Sequence, residues 1–161
     1  MKRLYGFTLV ELMVTIAVAA VLLTLAVPGF RGIVHDNRAT SLANELTTAI
    51  NLARSEAIRR GRVVSVCTDD WEAGWRVEVG EDCDATGDDV IRRWDAPATN
   101  SVIDAGDGET AVRFEALGGL EGSDVIEITF QIHVENCTGD RARRLRVSPG
   151  GHVGVERVEC P

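Results

Sequence analysis

Glu11 is a lone carboxylate in an otherwise uncharged run from Phe7 to Val27. An acid at membrane depth costs about 2.5–3.5 kcal/mol on insertion scales, so it marks a functional residue with a partner. The natural partner is an amine. Cutting the chain between Gly6 and Phe7 would free an α-amino group on Phe7, four residues before Glu11. The run of 21 residues spans about 31 Å as a helix, close to the thickness of a bilayer's hydrocarbon core. Lys2 and Arg3 precede it and place its amino end on the cytoplasmic side. An ordinary secretory signal is the competing assignment, with Ala17-Val18-Ala19 as the cut. Against it, the acid lies inside the apolar core and the chain stays hydrophobic to Val27. A plain transmembrane anchor is the other alternative.

Four further groups of residues bear on chemistry. Cys67, Cys83, Cys137 and Cys160 form an even set outside the cytoplasm, which predicts two disulfides. Of three pairings, Cys67–Cys83 and Cys137–Cys160 are favoured because each closes a short segment. A zinc site lacks any Cys-x-x-Cys pair to support it. The stretch from Glu81 to Asp89 offers Asp82, Asp84 and Asp88 as oxygen donors for calcium, but without EF-hand spacing. A solvated acidic loop is the simpler reading, and neither metal nor cofactor is expected. Arg141, Arg143, Arg144 and Arg146 form a basic cluster able to contact phosphate. On a strand, Arg144 and Arg146 would point one way, opposite to Arg141 and Arg143. The bland alternative is a solubilising or subunit-pairing edge. His35, His133 and His152 fall in no catalytic or zinc spacing, and Trp71, Trp75 and Trp94 read as core or sheet-surface residues. No enzyme signature is present.

The elements that position these groups follow from periodicity. Past Pro28-Gly29, the residues Leu42, Leu46, Ala49, Ile50, Ala53 and Ala57 recur at helical steps, and Gly61 is a stop. One helix is therefore expected from about Thr8 to Arg60, apolar all round over 7–27, amphipathic over 28–60 and bent at Pro28. After Gly61, short β-type runs take over: Val63–Val66, Trp75–Val79, Val90-Ile91, Ala111–Phe114, Val125–Phe130 and Leu145–Ser148. The fold class is α+β, a helix spine covered by antiparallel sheet, in two small sheets. Residues 95–110 read as an irregular loop. Net charge is −8, with −14 concentrated in residues 68–136 and mildly basic flanks. Such a body repels free nucleic acid unless a basic end stands apart.

The leader Lys2, Arg3, Gly6, Phe7, Thr8, Leu9 and Glu11, followed by an unbroken apolar helix, resembles the class III signal of type IV prepilins and pseudopilins. Ala53-Arg54-Ser55-Glu56-Ala57, Trp71-Glu72-Ala73-Gly74-Trp75, Phe114-Glu115-Ala116-Leu117-Gly118 and Arg143 through Gly151 look like the GspH/FimT family of minor pilins and pseudopilins. The resemblance implies a leader of residues 1–6 removed by a prepilin peptidase, with N-methylation of Phe7. It implies a membrane helix over 7–27 and a periplasmic β-rich domain over 61–161. Glu11 would pair with the amino terminus of a neighbouring subunit during assembly. Implied partners are other minor and major (pseudo)pilins, the inner membrane and assembly-platform proteins. The implied role is architectural: initiating or capping a type II secretion pseudopilus or a type IV pilus. The alternative is a DNA-binding minor pilin for DNA uptake. Some competence-associated relatives use a Gly-Arg-x-Arg motif, but the matching stretch here, Gly151-His152-Val153-Gly154, lacks both arginines.

Overall fold

The computed structural model describes residues 7–122 and 127–161. The leader, with Lys2, Arg3 and Gly6, lies outside the described residues, as do Val125 and Ile126 of one expected strand.

Helix α1 runs Leu9–Arg60, the helix expected from the sequence. Thr8 stands just before it, its carbonyl accepting the Leu12 amide at 3.1 Å. The helix stops where Gly61 adopts φ +62° and its N–H bonds the Ala57 carbonyl at 2.9 Å. Glycine enters that left-handed conformation without a Cβ penalty. Pro28 lies within α1 and does not end it. The chain divides into two compact units, the first reaching Val34 and the second spanning His35–Pro161. In the first, the large apolar side chains described from Phe7 to Leu23 are all more than half exposed. Among the described residues no helix is long and apolar enough to cross a membrane. The side chains of the apolar run are described only as far as Thr24, short of the span expected over 7–27.

The second unit packs the remainder of α1 with eight strands: β1 (Val64–Cys67), β2 (Trp75–Val79), β3 (Val90–Trp94), β4 (Ser101–Ala105), β5 (Ala111–Phe114), β6 (Ile128–Val134), β7 (Ala142–Val147) and β8 (Val153–Val158). They form two four-stranded sheets, ordered β3-β2-β1-β5 and β4-β6-β7-β8, with antiparallel pairing throughout. This is the α+β, two-sheet architecture expected. The helix face predicted to be apolar is the buried one: Leu42, Leu46, Ala49, Ile50, Ala53 and Ala57 are each at most 5% exposed. They share one core with Val66, Val77, Val112 and Phe114 of the first sheet and Phe130, Ile132, Leu145 and Val147 of the second. Burying a large aliphatic side chain contributes about 1.5–3 kcal/mol, so this seam, not helix propensity, holds α1 on the sheets.

Two strands were not legible. Residues 95–110, read as irregular, contain β4, whose Ile103 and Ala105 turn into the core while its backbone pairs β6 from Ser101↔Val134 to Ala105↔Phe130. The run is five residues between Asp, Gly and Asn, too short to stand out, and the ladder makes it a strand. Strand β8 reads Val-Gly-Val-Glu-Arg-Val, and its apolar signal is interrupted by glycine and two charges. Its six-residue register with β7 fixes it.

Candidate functional site

The amino-terminal chemistry is carried by Thr8 and Glu11. The Glu11 amide donates to Thr8 Oγ1 at 3.2 Å, and the Thr8 amide faces Glu11 Oε2 at 3.5 Å. This is a capping box, in which hydroxyl and carboxylate reciprocally serve the orphan donors of a helix start. The Thr-x-x-Glu spacing would have revealed it from the sequence. Glu11 therefore caps its own helix, and it stays exposed among the described residues. Phe7, 82% exposed, stands directly before this box.

The four arginines separate into three environments. Arg143 turns inward, only 9% of its side chain exposed, and donates from Nη2 to Asp36 Oδ1 at 2.7 Å and to Thr40 Oγ1 at 2.8 Å. Arg157 of β8 donates to the other carboxylate oxygen, Asp36 Oδ2, at 2.7 Å. One aspartate thus clamps α1 to two adjacent strands. The hydrogen bond from Arg143, with further attraction from Arg157 and Arg141, holds the Asp36 carboxyl below its ordinary range despite the opposing effect of burial. Arg144 and Arg146 face outward and share Glu156 Oε1 at 3.2 and 2.7 Å. Arg141 precedes β7 and donates to the Thr138 carbonyl and hydroxyl. The expected opposition of Arg143 to Arg144 and Arg146 holds. Of the four, Arg143 is buried on Asp36, while Arg144 and Arg146 stay half exposed around one shared carboxylate.

The acidic stretch is fastened by its backbone. Cys67–Cys83 is a disulfide, as is Cys137–Cys160, the favoured pairing in both cases. Buried Glu78, 1% exposed, accepts from Arg76 and from the Ala85 amide at 3.0 Å, while Arg76 also donates to the Cys83 carbonyl. Arg113 donates to the Glu81 carbonyl at 2.7 Å. These bonds lay the loop over the outer face of the first sheet. Asp82, Asp84 and Asp88 point out exposed and do not converge on a common point. Among the described residues, the donors that do converge are Cys67, Glu78 and Cys83, whose sulfurs are bonded to each other. Nearby, burial first and then the neighbouring Glu81 carboxylate raise the pKa of Glu121.

The remaining motifs build loops around the helix end. Arg54 Nε donates to the Gly118 carbonyl at 2.9 Å. Gly118 and Gly151 have φ of +82° and +75°, and a Cβ on either would run into Arg54, Gly118 into Ile58 and Gly151 into the Gly118 carbonyl. The Leu120 amide donates to the Pro149 carbonyl at 2.8 Å. The arginine therefore latches two glycine turns to α1 and leaves Leu117 90% exposed at a loop tip. Glu56 binds Arg59 and Arg60, which pull its carboxyl down to about 2. Trp71 packs edge-on to Phe130 at 5.0 Å, and Trp75 stacks on Trp94. His133 lies in β6. The Asp36 clamp and the Arg54 latch were missed because their partners lie 64 to 121 residues away.

The family described as Type II transport protein GspH matches residues 42–151, and the prokaryotic N-terminal methylation motif matches residues 1–27. The chain belongs to the GspH family. Its fold resembles the type IV minor pilin FimU of Pseudomonas aeruginosa, with TM-score 0.62 and 27% identity over 74% of this chain and 89% of that one. A second crystal form of FimU gives TM-score 0.59 over 73% and 91%. The minor pseudopilin EpsH from the type 2 secretion system of Vibrio cholerae shares the fold at 17% identity, with TM-score 0.54 over 74% of this chain and 97% of that one. No curated protein sequence matches the chain. The pilin-like architecture of this GspH family member is the one its leader and loop motifs implied.

Proposed function

We propose that the chain is a minor pilin or pseudopilin that helps initiate or cap a thin filament, either a type II secretion pseudopilus or a type IV pilus. The observation that carries this reading is the junction of a methylation motif with an exposed capping-box glutamate at the head of a helix whose large apolar side chains, described from Phe7 to Leu23, are all more than half exposed. Uncovered apolar surface of this extent needs lipid or other helices. The helix over 7–27 would wait in the inner membrane with its amino end cytoplasmic and the β domain periplasmic. Cleavage between Gly6 and Phe7 would follow, then N-methylation of Phe7. On assembly, Glu11 would exchange its weak Thr8 contact for the Phe7 amine of a neighbouring subunit, a charge-assisted bond about twice as strong as a neutral one. Pro28, which lacks a backbone donor, would loosen the helix where it leaves the bilayer. Other (pseudo)pilins, the prepilin peptidase and the assembly platform are the partners this reading requires.

Expression of Glu11→Ala and Gly6→Ala beside the wild type tests the reading. Glu11→Ala is expected to insert in the membrane and be processed, yet be absent from sheared filaments by immunoblot. Gly6→Ala is expected to keep its leader by intact mass. Normal entry of Glu11→Ala into filaments would remove the electrostatic basis of the proposal.

A further inference from the structure

The Trp71-Glu72-Ala73-Gly74-Trp75 motif has no part in the filament contact at Glu11, yet it builds one wall of a cavity at the end of the first sheet. The cavity has a volume of about 260 Å³ and lies where the chain leaves β1, enters β2 and leaves β3. Its walls are fixed. Thr68 Oγ1 donates to the Gly74 carbonyl at 2.6 Å, and Trp71 Nε1 to the Glu109 carbonyl at 2.7 Å. Gly74, at φ +104°, sits so close to the end of β3 that a Cβ would run into the Trp94 carbonyl. Trp94 is itself held, with Trp75 stacked on it and Arg92 4.6 Å over its ring. Four charges line the cavity. Arg76 is committed to Glu78 and the Cys83 carbonyl. Asp69, Asp95 and Arg93 are exposed, and none of the three forms a salt bridge or side-chain hydrogen bond among the described residues.

We propose that this cavity is a socket for a basic side chain, lysine or arginine, of an adjoining protein subunit. Its volume falls below the roughly 300–1,000 Å³ of small-molecule sites, which suits one side chain and not a cofactor. Two uncommitted carboxylates face one uncommitted guanidinium. Every lining residue also belongs to the stretch 68–136, which carries −14. The field there attracts a cation and repels an anion. The stem of a lysine or arginine would lie along Ala73, Ala96 and Trp94 while its head stays among the carboxylates. The partner is a different, more basic protein, because the net charge of −8 sets two copies of this chain against each other. Arg93 stands directly opposite Arg76 on the neighbouring strand, an arrangement of like charges that opposes an incoming cation as well. It gives the socket a signature: losing Asp69 or Asp95 weakens the contact, and losing Arg93 strengthens it. The proposal takes its partner from the filament reading but its chemistry from the cavity, so its test needs no filament.

The full chain, isotope-labelled and purified in detergent, is titrated by NMR with two probes, N-acetyl-arginine methylamide and N-acetyl-glutamate methylamide. The cationic probe is expected to shift the amides of Ala73, Gly74, Asp95 and Ala96 saturably, and less as salt is added. The anionic probe is expected to leave them in place. Asp69→Asn/Asp95→Asn should weaken the cationic probe about fivefold or more, and Arg93→Ala should tighten it. All three positions are exposed, and unchanged amide shifts in β6 and β7 report an intact fold in each variant. No saturable shift with the cationic probe up to its solubility, a larger response to the anionic one, or weaker cation binding in Arg93→Ala would overturn the proposal. None of these results touches the Glu11→Ala outcome, so the socket and the filament role fail separately.

Discussion

Two carboxylates decide the most in this chain, and each is defined by what stands opposite it. Among the described residues, Glu11 is partnered only by its own helix start. Asp36 is committed, holding Arg143 and Arg157 with separate oxygens. Removing the Asp36 charge strands a nearly buried guanidinium, so Asp36→Asn is expected to cost roughly 1–3 kcal/mol at neutral pH. The folded-state pKa of Asp36 lies below its unfolded value. Its contribution is therefore fully present above the ordinary aspartate range and disappears as pH falls through the lower, folded value. Urea unfolding of wild type and Asp36→Asn, compared from pH 7 down to pH 3, checks this: the gap between them should hold to about pH 5 and then close. A gap independent of pH would mean that Asp36 acts by packing, not by charge.

The latch of Arg54 on the Gly118 and Gly151 turns belongs to the elements. It joins the last turns of α1 to the loop after β5 and to the turn between β7 and β8 through one guanidinium hydrogen bond and two positive-φ glycines. Gly151→Ala places a methyl group against the Gly118 carbonyl, a backbone atom that cannot move aside, and at a φ that costs a side chain about 1 kcal/mol or more. A loss of about 2–4 kcal/mol follows from strain and overpacking together. Arg54→Ala removes only the hydrogen bond and the stem contacts, and should cost about 1–2 kcal/mol. Thermal unfolding separates the two, with Gly151→Ala the lower-melting variant. Amide exchange in Arg54→Ala should rise in residues 115–121 and 148–152, with the strands of the core unchanged.

Over the whole molecule, stability is divided between a core that needs α1 and two disulfides that do not. Cys67–Cys83 closes 16 residues of separation and Cys137–Cys160 closes 23, each worth about 3 kcal/mol in the loop-closure picture. The consequences differ by position. The first also seats Glu78 and Arg76 beneath the acidic loop, so Cys67→Ser/Cys83→Ser should expose a buried carboxylate and exceed the simple loop term. The second ties the β6–β7 turn to the tail beyond β8, where Cys160 N–H bonds the Gly139 carbonyl at 3.0 Å, and its loss should stay near that term. Denaturant melts of the two double variants are expected to rank the first as the less stable. The opposite ranking would show that the acidic loop is held by the sheet without help from the bond.

The amino-acid sequence by itself determined what is local or periodic. The helix Leu9–Arg60, its buried stripe from Leu42 to Ala57 and its glycine stop are written at three- and four-residue spacings, because helical neighbours are sequence neighbours. The leader motif and the disulfide partners are legible for the same reason, one being contiguous and the others closing short segments. The tertiary structure alone decided the fate of the arginines, the identity of β4 and β8, and the use of Asp36 and Arg54. Each depends on which strand lies beside which. A basic run in sequence became one buried clamp and one shared surface pair because a strand sends alternate side chains to opposite faces, and because Asp36, 107 residues before Arg143, waited on only one of them.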